Sequence, residues 1–484
     1  MMKNFGTSKK TVPLILLLVI VVASIWLSLK YIHIMPTPQY DSGEYFVIAY
    51  NMAKYGVSSA STDDVPEIKP DSYREPVPPL ILSLPLRMMD LDRYKLSCFL
   101  GEKTICTDLL RPLGMFNIML VALIVLSLYL ATYWLTSSHW WAIAAAAMAA
   151  TSSIMPSLTR VFSSELAGAL FLLLHSTLLY GAVTGRHRRV CAVGAGIFLA
   201  LLVLSKAVYL YWALCLIAVA CLALVLAKQL RTRNNLIILL LLVVPATAGI
   251  GGWMARNYTH FGTINVADRS ISVLAIRAGY TTISWKQYFS GYLYFTPYIG
   301  LDLARLVVDD LADTTFDDNG PAGPGRHIEA GLPTTLHGQT DEQLREIFSL
   351  MLKNWDMQLA LTPLIIYRGM FIGGCCSNPG SNVPIYWASQ MFWQVLWPIQ
   401  VFLTLLLVPA MFWLAIRMAR KRNWVFFAMC GPVLFHFLIY GFATQFLARY
   451  SFVVYPSVVA MFFMLLWSLS DDRHRRKHPG AVVA

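Results

Sequence analysis

From Thr11 onward the chain keeps returning to apolar runs that reach or approach the roughly 20 residues a helix needs to cross a bilayer. No other feature restricts the fold as much. A backbone inside lipid must satisfy its own hydrogen bonds, which leaves helices or a closed barrel. A barrel needs many alternating segments of about ten residues, a pattern this sequence lacks. Composition agrees: 57% of the residues are hydrophobic and 13% charged, against about a quarter charged in an ordinary soluble domain. The expectation is an all-α polytopic membrane protein.

The first span covers Thr11 to about Ile32 and, with no small-residue cleavage site after it, reads as a retained signal anchor. A polar segment, 33–111, follows. Spans two to seven fall within 112–253: Pro112 to Leu135, Trp140 to Ser157, Leu166 to Thr184, two spans between Val190 and Ala227 broken near Ser205-Lys206, and Asn235 to Trp253. The largest polar region, 254–384, contains the helical spacing Leu344, Ile347, Phe348, Met351, Leu352 and Trp355. The short apolar stretch Leu359 to Gly373, interrupted by Pro363 and Arg368, reads as interfacial. Asp313 to Pro333 reads as loop. The C-terminal spans occupy 385–470 and a basic tail 471–484.

Charge placement gives topology. With the N-terminus inside, the clusters Lys9-Lys10, Arg186 to Arg189, Lys228 to Arg233, Arg417 to Arg422 and Arg473 to Lys477 all fall on the cytoplasmic side, as positive-inside asks. Both large loops, with the short loops holding Glu165 and Lys206, then lie outside. The formal net charge of +12 is thereby accounted for without a nucleic-acid partner. Cys191, Cys215, Cys221 and Cys430 lie in apolar runs and read as small hydrophobes. A Cys98–Cys106 bridge and the role of Cys375-Cys376 stay open on the sequence.

Two carboxylates, Asp41 and Glu44, stand three residues apart just beyond the first span. On a helix start they share a face. They fit a cap with its third-position acid, or a general base beside apolar walls, where a carboxylate gains proton affinity. In Tyr73-Arg74-Glu75-Pro76-Val77-Pro78-Pro79, the prolines favour extended or turn geometry. Arg74 there is either a phosphate ligand or half of a surface pair with Glu75. Arg256 lies where span seven leaves the bilayer, beside Trp253 and Tyr258, and suits either headgroups or a phosphate. Glu165, Lys206 and Arg449 are further charges at span ends on the same proposed face. Metal use stays open on the sequence, with Glu75, Glu165 or His260 as the candidate ligands of a divalent cation.

The order of these stretches, with Arg160 to Glu165, the string Trp253-Met254-Ala255-Arg256-Asn257-Tyr258-Thr259-His260-Phe261-Gly262 and Arg449-Tyr450, resembles the GT-C class of polyprenyl-phosphate-sugar glycosyltransferases. Protein O-mannosyltransferases and lipid A aminoarabinose transferases belong to that class. The resemblance runs to about Pro456. It implies a bundle of about 10–13 transmembrane helices with interfacial helices in two outer loops. It implies single-step inverting transfer at the outer face of a plasma (inner) membrane, with both termini cytoplasmic. Asp41, with Glu44, would serve the acceptor. Arg74, Arg256, Lys206 and Arg449 would hold the donor phosphate, with Glu75, Glu165 and Tyr258 supporting them. The partners implied are a polyprenyl-phosphate-sugar donor, a glycan, lipid or protein acceptor, and membrane lipid. The sequence departs from some members: Val77 stands where the aminoarabinose branch has Lys before two prolines, and no sizeable C-terminal soluble domain follows. A polymerase or ligase using a diphosphate carrier and a lipid or glycan transporter are the other classes of activity that fit.

Overall fold

The computed structural model describes residues 5–32, 41–61, 68–94, 96, 107–152, 154–159, 162–185, 187–226, 232–267, 270–296, 300–307, 341–371, 397–420, 426–444 and 450–477. Arg160, Arg449, Cys98, Cys106, Cys375, Cys376 and the stretch Asp313 to Pro333 lie outside these residues. Every extended element among the described residues is helical.

The first third of the chain comprises α1 (Phe5–Ile32), α2 (Asp41–Lys54), α3 (Val77–Leu86), α4 (Thr107–Thr136), α5 (His139–Ala150) and α6 (Ile154–Leu158). The middle comprises α7 (Glu165–Thr184), α8 (Arg188–Val203), α9 (Tyr209–Leu226), α10 (Arg233–Phe261), α11 (Ser270–Tyr280), α12 (Trp285–Tyr294) and α13 (Gly300–Val307). Helices α14 (Asp341–Lys353), α15 (Trp355–Met370), α16 (Trp397–Arg420), α17 (Phe427–Ala443) and α18 (Tyr455–Lys477) complete it.

Among the described residues, six helices are long and apolar enough to cross a membrane: α1, α4, α7, α9, α10 and α16. Helix α17 and Tyr455–Ser470 of α18 are apolar but shorter. The expected third span is two pieces, α5 and α6, parted at Thr151 and Ser152. The expected break near Ser205-Lys206 is present between α8 and α9. The stretch Leu359 to Gly373 is not interrupted at Pro363, which sits inside α15.

Helix α7 is apolar all round and almost entirely enclosed, as such a helix requires. It packs most extensively on α8, which in turn packs on α10. Close approach there depends on small residues: a Cβ on Gly196 would collide with the Leu242 carbonyl, and one on Gly249 would crowd Ala200. By contrast α9 exposes Tyr211, Leu214, Val219, Leu222 and Val225 on its outside. Cys215 and Cys221 are exposed on that helix, while Cys191 and Cys430 are buried.

Candidate active site

Helix α8 stops at Val203, and Leu204 to Val208 turn before α9 begins. The turn carries Lys206, 6% exposed, whose Nζ lies 3.4 Å from Oε1 of Glu165. Glu165 is the first residue of α7, where a negative charge meets the positive end of the helix dipole. The ring of Tyr450 lies under the Lys206 ammonium at 5.0 Å. Burial pulls the Lys206 pKa down, but Glu165, with Tyr440, Tyr450 and Glu75, outweighs it, and the net direction is upward. The lysine therefore remains a cation inside the protein.

The first polar segment docks on this turn at two points. The Val77 N–H donates to the Leu204 carbonyl at 3.1 Å, and the Ala207 N–H donates to Glu75 Oε1 at 3.3 Å. The sequence pointed to a non-helical run of prolines here. Instead α3 begins at Val77, with a proline in its first turn, where the missing N–H has no helical partner to lose. The other oxygen of Glu75 accepts from the Tyr45 hydroxyl at 3.0 Å. Burial, then Glu75, holds the Tyr45 pKa well above the usual tyrosine value.

Arg74 forms no surface pair with Glu75. It is buried, and its Nε and Nη2 both donate to Glu44 Oε2, the former at 2.6 Å. Its guanidinium lies 4.9 Å from the ring of Tyr45 and 5.5 Å from that of Tyr73. Its charge is thus compensated by Glu44. Asp41 opens α2 one turn before Glu44, on the same helix face; its side chain is not among those described.

The string Trp253 to Gly262 works as a clamp at the end of α10. Trp253 Nε1 donates to the Val266 carbonyl at 3.0 Å, and Asn257 Nδ2 to the Asn265 carbonyl at 2.9 Å. Gly262 ends the helix at φ 71°, a left-handed conformation that favours glycine. Arg256 Nη1 reaches the Asp71 carbonyl and Asn257 Oδ1, each at 2.8 Å. Asp71 is held in turn by the Ala60 and Tyr73 N–H groups. The half-buried Arg256 guanidinium lies over Trp253 at 4.6 Å.

One end of the bundle therefore gathers Glu44, Arg74, Glu75, Glu165 and Lys206, with Arg256 attached through Asp71. Tyr258 and His260 are exposed, and neither joins the cluster among the described residues. No group of three His, Cys, Asp or Glu side chains is placed to hold a metal among those residues, so Glu75, Glu165 and His260 do not form one. Tyr45 and Tyr440 are the members that sequence reasoning missed. Tyr440 is buried, 5.5 Å from the Tyr450 ring and 4.3 Å from that of His436, whose Nδ1 meets the Tyr209 hydroxyl at 2.8 Å. A lone hydroxyl in an apolar run gives no signal; only the lysine it faces marks it.

Chemically, the arrangement offers an acid-bearing helix start and fixed cations against apolar walls, where electrostatic compensation is stronger than in water. No protein-family model matches the sequence, and no curated protein matches it significantly. Its fold is similar to that of the archaeal oligosaccharyltransferase AglB from Archaeoglobus fulgidus, solved with an inhibitory peptide and a dolichol-phosphate. That match has a TM-score of 0.51 at 15% identity, over 99% of this chain and 53% of that one. A structure of the Archaeoglobus fulgidus oligosaccharyltransferase with zinc and sulfate matches at TM-score 0.49 and 15% identity, over 94% of this chain and 50% of that one. The chain thus spans about half the length of these proteins, and the likeness is one of fold.

Proposed function

We propose that this protein is a membrane glycosyltransferase that moves a sugar from a polyprenyl-phosphate carrier to an acceptor at the membrane surface. The observation that carries the reading is the convergence of the first polar segment, through Glu75, on the buried Glu165–Lys206 pair. The fold likeness to an oligosaccharyltransferase supports it.

In this reading Asp41 takes the proton of the acceptor hydroxyl as that oxygen attacks the anomeric carbon. The bond from that carbon to the phosphate oxygen breaks on the opposite face, which inverts the configuration. The lipid phosphate leaves with the bonding electron pair. Its charge needs fixed cations rather than a strong acid. Arg256, whose Nε and Nη2 make no hydrogen bond among the described residues, and Arg449 take that role, while Lys206 stays paired with Glu165. Arg74, compensated by Glu44, serves instead to hold α2 in place.

Purified protein in lipid, given a radiolabelled polyprenyl-monophosphate sugar, tests the reading. Transfer or slow donor hydrolysis is expected, lost in Asp41→Asn and Arg256→Ala at unchanged expression. Turnover of diphosphate-linked donors alone would replace it with a polymerase or ligase. Unaltered activity in Asp41→Asn would remove the proposed base.

A further inference from the structure

Among the described residues three Lys or Arg side chains are buried: Arg74, Lys206 and Arg277. Glu44 compensates the first and Glu165 the second. Arg277, on α11, is 0% exposed, and no carboxylate among the described residues lies within ion-pair distance of it. Its Nε donates to Gln358 Oε1 at 3.1 Å, and its Nη2 to the Gln358 carbonyl at 3.1 Å and to Thr362 Oγ1 at 3.5 Å. All three acceptors are neutral. A guanidinium carries five N–H donors. The two on Nη1 are left over, closed to solvent and without an acceptor among the described residues.

The neighbours fix this guanidinium without neutralising it. Gln358 donates Nε2 to the Phe442 carbonyl at 2.8 Å, which turns its Oε1 toward Arg277. Asn354 Nδ2 reaches Thr281 Oγ1 at 3.4 Å and ties α11 to the start of α15. Glu346 on α14 and Asp356 on α15, the acids nearest along the adjoining helices, are exposed. One turn along α11, the Tyr280 hydroxyl accepts from a second guanidinium, that of Arg368, at 3.5 Å. Burial lowers the Arg277 pKa to about 9, with Tyr280 pulling the other way. At neutral pH the group is therefore still a cation. A buried charge is unfavourable unless something of opposite sign pairs with it.

We propose that the free Nη1 edge of Arg277 anchors a bound anion, a group that spreads one negative charge over two oxygens as a carboxylate or a phosphodiester does. Charge decides the class, since one uncompensated cation calls for one negative charge. Shape follows from the guanidinium, whose planar fork matches an acceptor with two oxygens. Because Nη1 is closed to solvent, the anion enters only as the packing between α11 and α15 opens locally. Once bound it is poorly screened by salt. Phe442 follows Tyr440 by two residues on α17, so the anion lies at the same end of the bundle as Lys206. None of its ligands belongs to the catalytic cluster, and the assignment does not rest on the glycosyltransferase reading.

The test melts the full chain in a neutral detergent with sodium acetate or sodium dimethyl phosphate, each against sodium chloride at equal ionic strength. Acetate, dimethyl phosphate or both should raise the melting temperature by about 2 °C or more over chloride, and which of them does so names the source of the charge. Arg277→Gln keeps a donor toward Gln358 but no charge, and should lose the rise. Where that variant does not give a single gel-filtration peak, Arg277→Lys takes its place, and the midpoint of the rise should move to about tenfold higher oxyanion. An anion carried through purification would appear as bound mass in the native mass spectrum of the parent and be absent from the variant. If neither oxyanion exceeds chloride and no such mass is found, the proposal fails. A rise that persists unchanged in the variant puts the anion elsewhere and overturns it as well.

Discussion

Lys206 and Glu165 face each other across 3.4 Å with both side chains almost closed to solvent. Removing one partner of a buried pair strands the other, whereas replacing both is often near neutral. Lys206→Met should therefore cost about 3–5 kcal/mol of stability. The double variant Glu165→Gln/Lys206→Met should recover most of it. Thermal unfolding in detergent measures both. Equal losses in the single and double variants would show that the pair does not hold the fold.

The same cluster sets an alkaline limit. Lys206 and Tyr45 both titrate above their ordinary values, the first because Glu165 and its neighbours outweigh burial, the second because of burial and then Glu75. Above the unfolded values, about 10.4 and 10, the native state keeps protons that the unfolded chain has released. Stability then falls as pH rises. Their contribution is complete below those values and is lost as pH climbs through the folded ones. The melting temperature should hold from neutral to about pH 10 with respect to these groups and then drop. The drop should be shallower in Tyr45→Phe than in the parent chain, and melting curves across pH measure it.

Asn257 is fully buried, accepts from Arg256 and donates to the Asn265 carbonyl. Asn257→Ala removes both of these hydrogen bonds, one of them to a charged group, at about 1–3 kcal/mol. Arg256→Lys keeps the charge but loses the planar fork, so it should lower donor turnover by about tenfold or more while costing only about 1 kcal/mol of stability through its hydrogen bonds to Asp71 and Asn257. Unfolding curves and turnover, measured together, separate the two effects.

Gly262 closes α10 at φ 71° with no atom near the place of a side chain. Space is therefore not the constraint; the backbone is. Gly262→Val should cost about 1–2 kcal/mol, and Gly262→Asn clearly less, because asparagine tolerates the left-handed region. Equal melting points for the two variants would rule out this account.

Much of the fold was legible because hydropathy acts locally. The break at Ser205-Lys206 appears where the pattern placed it, and the helical spacing from Leu344 to Trp355 is realised as two helices that meet at Asn354 rather than one. The split of the expected third span into α5 and α6 was not legible, because alanine-rich sequence looks the same whether it crosses a bilayer or packs inside a bundle. The helix starting at Val77 was hidden for another reason: proline breaks a helix in its interior but suits its first turn.

The sequence by itself determined that the chain is helical and apolar enough for a membrane, and which charges stand at the ends of its apolar runs. Only the tertiary structure decided how those charges pair. Arg74 binds Glu44 and not adjacent Glu75, while Glu75 reaches Tyr45 and the backbone of Ala207. Ion pairing depends on distances of a few ångströms between residues far apart along the chain. Hydropathy sets which groups reach the end of the bundle, but only packing fixes which of them touch.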